Sequence, residues 1–120
     1  MKRYCLIFVA LILLSCNYFW QLELDKDLSK TIQLAYQKDE QPVDLVSKTE
    51  FQWDNYIILG PYQIPKKVAH KYNINLSNIS DDVTLDDTKY TLIFLQNRKA
   101  IKVCQLDSGV LLANTKQLKM

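Results

Sequence analysis

The sequence predicts an α+β fold: two helices and a small, largely antiparallel sheet, preceded by a separate apolar helix at the amino terminus. Three observations predict it. Segments 27–38 and 65–72 carry apolar residues at helical spacing. Residues 56–59, 90–95 and 100–106 are short runs rich in β-branched and aromatic side chains. Their order is helix, strand, helix, hairpin, which lacks the repeating strand–helix alternation of a parallel sheet.

In residues 27–38, Leu28, Ile32, Ala35 and Tyr36 share one helical stripe, with Asp27 or Ser29 as the cap. The alternation of Ile32, Leu34 and Tyr36 leaves a strand as the second reading. Residues 39–49 contain Pro42 and read as a connector, with Val43, Leu45 and Val46 reaching toward the core. Tyr56 to Leu59 is a buried strand that Gly60-Pro61 stops. Pro65 suits the first position of the second helix. Its buried stripe is Ile64, Val68, Ala69 and Tyr72, and Asn73 closes it. Residues 73–88 are polar with isolated Ile74, Leu76, Ile79, Val83 and Leu85, a loop with a short extended piece. Tyr90–Leu95 and Ala100–Leu106 flank Gln96–Lys99 as a hairpin. A turn at Asp107-Ser108-Gly109 leads to a last short strand, Val110–Leu112, and a frayed end.

At 120 residues the chain has room for one domain. Two glycines exclude a phosphate-cradling glycine loop, and no cofactor is expected. Cysteine occurs at positions 5, 16 and 104, which is not a disulfide framework. The formal charge is +2, but Lys2 and Arg3 belong to the amino-terminal segment; without them 13 basic face 13 acidic side chains. So balanced a surface offers no basic stripe for phosphates, and nucleic acid is not expected as a partner.

The amino terminus has its own grammar. Lys2-Arg3 precede an apolar run of about 11 residues, roughly 17 Å as helix, too short to span a hydrocarbon core of about 30 Å. Such a segment is a secretory signal helix. Leu13-Leu14-Ser15-Cys16 resembles the lipobox of bacterial lipoproteins. The resemblance implies removal of residues 1–15 and lipidation of Cys16, so that 16–26 form a lipidated tether to the membrane. Residues 27–113 then form the single domain and 114–120 the frayed tail. Several acyl chains, at about 0.8 kcal/mol per buried methylene, anchor firmly. Tyr18, Phe19 and Trp20 suit the lipid interface. The implied address is the cell envelope, facing the periplasm. Asn17, where Asp favours inner-membrane retention, points to the outer membrane in a Gram-negative source. An uncleaved anchor extending to Leu22 and a plain cleaved signal are the competing readings.

One stretch of the body looks like a signature: Phe51-x-Trp53-Asp54, an apolar run, then Gly60-Pro61-Tyr62. With the helix and hairpin that follow, it resembles small uncharacterised bacterial envelope proteins, which implies a fold and no activity. Trp53 and Tyr62 are large enough to anchor a core, and Asp54 can accept from backbone where the strand begins. The motif serves packing, or Trp53, Asp54 and Tyr62 form a partner groove. His70, the only histidine, stands among Lys66, Lys67 and Lys71 and reads as solvated; Cys104 reads as a buried thiol. A hydrolase would need those two together. Asp81-Asp82 and Asp86-Asp87 lack the spacing of a calcium loop and read as a solvated acidic stretch. Lys66 and Lys67 sit where the helix dipole disfavours cations, so the acidic loop or an acidic partner should neutralise them. The expected function is a tethered, non-enzymatic binding module for an envelope protein. An immunity protein against a secreted toxin is the alternative, and a Cys104–His70 hydrolase the third.

Overall fold

A computed structural model describes residues 21–118; the apolar amino-terminal helix, the lipobox and Cys16 lie outside them. In chain order the elements are α1 (Lys26–Asp39), a single turn α2 (Leu45–Lys48), β1 (Asn55–Leu59) and α3 (Pro65–Tyr72). A 3-10 turn at Asp81–Thr84 precedes β2 (Lys89–Gln96) and β3 (Lys99–Asp107). The strands form one antiparallel sheet in the order β1-β2-β3. The fold is α+β.

Alternation along the strands builds two cores, one on each face of the sheet. Tyr56, Leu92, Phe94, Cys104 and Leu106 face α1 and α2, where Ile32 and Leu45 meet them. Ile57, Leu59, Ile93, Leu95 and Val103 face α3 and the loop after it, where Val68, Ile74, Leu76 and Ile79 meet them. Residues 91–95 of the central strand are therefore all buried, which explains an apolar run without polar alternation. A bulge interrupts β3: Phe94 pairs with Lys102 and Leu95 with Ala100, leaving Ile101 as the extra residue.

The hairpin turn needs two left-handed residues, and Asn97 (φ 52°) and Arg98 (φ 64°) supply them without glycine. Arg98 is held by another element. Its Nε donates to the Asn73 carbonyl at 2.8 Å and its Nη2 to the Tyr72 carbonyl at 2.6 Å. Those carbonyls end α3, where a cation is favoured. Asn73 closes α3 in the left-handed conformation, and Pro65 opens it, as the sequence predicts.

Several sequence expectations need correction. Asp25, not Asp27 or Ser29, caps α1: its carboxylate accepts from the Leu28 N–H at 2.9 Å. Residues 39–49 are not only a connector, because Asp44 caps the turn α2. Val43 and Leu45 are buried there, while Val46 is exposed. Ile64 is also exposed, since it precedes the first turn of α3 and points away from the sheet side that Val68 covers. Val110–Leu112 is not a strand of the sheet; Leu112 makes one isolated bridge with Val43.

The largest correction concerns the chain ends, which seal the sheet edges. Leu24 bridges Val103, and Asp25 N–H donates to the Val103 carbonyl at 2.9 Å. Leu22 and Leu24 pack into the second core, so residues 22–26 are part of the domain rather than tether. Farther along β3, Gln105 N–H donates to Ser29 Oγ (3.2 Å) and Asp107 N–H to Gln33 Oε1 (2.7 Å). One helical turn thus matches two strand residues. At the other edge, Tyr56 N–H donates to the Lys116 carbonyl (3.0 Å) and Leu118 N–H to the Tyr56 carbonyl (2.8 Å). Leu118 packs into the second core, so the tail is docked up to that residue. No helix among the described residues is long and apolar enough to cross a membrane.

Candidate functional site

The extended segment before β1 places Phe51 and Trp53, two residues apart, against one core ring. Phe51 meets Phe94 edge-on at 5.2 Å between centroids, and Trp53 meets the same ring at 5.0 Å and 72°. Trp53 is buried, and its Nε1–H donates to Thr49 Oγ1 at 2.8 Å. The Thr49 hydroxyl in turn donates to the Leu45 carbonyl at 3.0 Å. The indole is therefore fixed at both ends, by ring packing inside and by the end of α2 outside.

Between α2, this segment and the hairpin turn lies an open groove of about 420 Å³, a volume within the range of small-ligand sites. Val46, Phe51 and Trp53 give it an apolar floor, with Glu50, Gln96 and Lys116 at its margin. Lys116 Nζ stands 5.0 Å from the Trp53 ring centroid, and Lys102 Nζ 5.2 Å from that of Phe51. A second depression of about 440 Å³ lies on the other side of Phe51, lined by Asp25, Asp27, Lys48 and Lys102. Lys102 pairs with Asp25 there at 3.3 Å. The two depressions meet at Phe51, with carboxylate and ammonium groups of both signs around an aromatic centre.

Asp54 does more than accept at the start of its own strand. Its Oδ2 accepts from Asn97 N–H at 2.7 Å, so it clamps the hairpin turn to the groove wall. Tyr62 is elsewhere. Strand β1 separates it from Trp53, it is 62% exposed, and its φ is 65°. Its expected role as a buried anchor does not hold, and it shares no groove with Trp53 and Asp54. A left-handed bulky residue costs on the order of 1–2 kcal/mol, retained here because Tyr62 N–H donates to the Thr84 carbonyl at 2.7 Å.

Cys104 and His70 lie on opposite sides of the sheet: Cys104 faces the first core, while α3, which carries exposed His70, packs on the second. They cannot act as a pair. Burial pushes the Cys104 thiol up to about 12, so it is a neutral packing group at ordinary pH. Asp86 Oδ1 accepts from the hydroxyl (2.6 Å) and N–H (2.9 Å) of Thr88, whose bonds hold its carboxyl below the usual range. Among the described residues no three His, Cys, Asp or Glu side chains converge as a metal site. Lys66 and Lys67 make no ion pair with the acidic loop among the described residues, where the pairs are Lys89–Asp107 and Lys102–Asp25.

Sequence reasoning misses Thr49, Phe51, Lys102 and Lys116 as site residues. The Phe51-x-Trp53 alternation is a signal for two rings on one side, and Thr49 stands one helical turn before Trp53. Nothing local announces Lys102 or Lys116, which arrive from distant segments. Comparison with protein-family models, curated proteins and solved structures finds no match to this chain.

Proposed function

We propose that this protein is an envelope lipoprotein, anchored by lipid on Cys16, whose folded domain binds an envelope protein partner without catalysing a reaction. One observation carries the anchor: a charged start, a short apolar run and Leu13-Leu14-Ser15-Cys16 in immediate succession. Support comes from Leu22, which is packed in the second core only six residues after Cys16, a reach of at most about 21 Å, so lipid on Cys16 would hold the domain beside the bilayer. The partner occupies the groove across Phe51 and Trp53, at the hairpin-turn end of the sheet.

Two variants test the two halves separately. Cys16→Ser should leave the membrane fraction, whereas continued membrane retention would refute the anchor. Lys116→Glu, a substitution at an exposed margin residue, should weaken capture of the native partner by about tenfold without altering membrane retention. Unchanged capture by Lys116→Glu and by Phe51→Ala would remove the groove from the account.

A further inference from the structure

We propose that the end of the sheet opposite the hairpin turn is a self-association surface, covered by a second copy of this chain. Three large apolar side chains are exposed there: Tyr62 at 62%, Ile64 at 45% and Leu85 at 60%. They come from two separate segments that are fastened together. Besides the Tyr62–Thr84 backbone bond, the buried Thr84 hydroxyl donates to the Gln63 carbonyl at 2.7 Å. Gln63 Oε1 accepts from Gly60 N–H at 2.7 Å and sets the turn. The patch is thus a built surface, with Tyr62 held outward in a backbone conformation that a tyrosine rarely adopts.

Charge identifies the occupant. Lys66 and Lys67 follow Ile64 on the exposed first turn of α3, and Asp86 and Asp87 follow exposed Leu85, with Asp81 and Asp82 a few residues before it. None of these six is in an ion pair among the described residues. An apolar centre beside unmatched charges of both signs is self-complementary under a two-fold rotation, which lays the lysines of one copy on the aspartates of the other. An anionic lipid surface would meet four aspartates, and a partner of one sign would leave one set unmatched. The surface lies about 13 Å along β3 from Val103, the residue that Leu24 bridges, so the amino-terminal segment leaves it clear. Confinement to one membrane raises the effective concentration of a weak interface.

The test uses the full-length protein purified in detergent, with its oligomeric state measured by sedimentation over roughly 1–100 μM. It is independent of the state of Cys16, which the mass of the same sample reports. A concentration-dependent dimer is expected. Lys66→Glu with Lys67→Glu, or Asp86→Lys with Asp87→Lys, should each weaken it by about tenfold, and the four changes together should restore it. Tyr62→Gly removes the ring while relieving the backbone, so it should give a folded monomer with an undiminished melting temperature. A wild-type monomer throughout the range, or a dimer indifferent to these changes, would overturn the proposal. So would loss, on Tyr62→Gly, of binding to phosphatidylglycerol vesicles, because lipid would then be the occupant.

Discussion

Cys104 shows how little a residue's chemistry can be judged from its type. The thiol, read from the sequence as buried, lies in the core beneath α1, and that burial keeps it neutral, with its titration pushed up to about 12. The sign of the pH effect follows. The unfolded thiol ionises near 9 and the folded one near 12, so the unfolded state binds fewer protons between them. Stability is therefore fully present below pH 9 and falls above it, by up to about 1.4 kcal/mol per pH unit. Denaturant midpoints from pH 8 to 11 should decline, and Cys104→Ala, though less stable at pH 8, should decline less steeply. Native protein at pH 8 should also resist alkylation at this thiol. Trp53 as a buried anchor is legible in the sequence, but Tyr62 is not. Both are large aromatics flanking one strand, and what separates them is a left-handed φ and a bond to Thr84, neither of which leaves a local mark.

Elements with a full period are legible; those made of one turn or one bridge are not. α1, α3 and the hairpin follow from apolar spacing, Pro65, Asn73 and the two runs around Asn97-Arg98. α2 is four residues long and too short to show a period. The sealing of β3 is equally silent, because Ser29 and Gln33 look like ordinary helix-surface residues until a strand lies beside them. They satisfy the Gln105 and Asp107 amides of an edge that is otherwise a template for pairing with other chains. Ser29→Ala with Gln33→Ala should cost about 1–3 kcal/mol and make the protein more prone to aggregate. Chemical denaturation and light scattering check both. If stability and solubility stay unchanged, water replaces the two side chains fully and the sealing is incidental.

At the scale of the molecule, a three-stranded sheet is covered on both faces and sealed along its edges by residues 24–33 on one side and 116–118 on the other. The double coverage is foreshadowed by the unbroken apolar run of β2; the docked ends are not, since residues 22–26 and 114–118 carry only isolated apolar positions. Those ends are structural. A chain stopped after Ala113 loses the Leu118 packing and both backbone bonds to Tyr56, and should be less stable by roughly 2–4 kcal/mol. A melting temperature equal to that of the full chain would show the tail to be dispensable. Because residue 22 is already part of the fold, the link back to position 16 is short. The groove at Phe51 and Trp53 lies at the hairpin-turn end of the sheet, and Tyr62, Ile64 and Leu85 lie at the other end.

That arrangement matters for function only if position 16 carries lipid, and the intact mass of the membrane-extracted protein answers this directly. The predicted mass is that of a chain beginning at Cys16, increased by a diacylglyceryl group and by any further acyl chain on the new amino terminus. A chain that keeps residues 1–15, or one cleaved there without added lipid, would contradict the account.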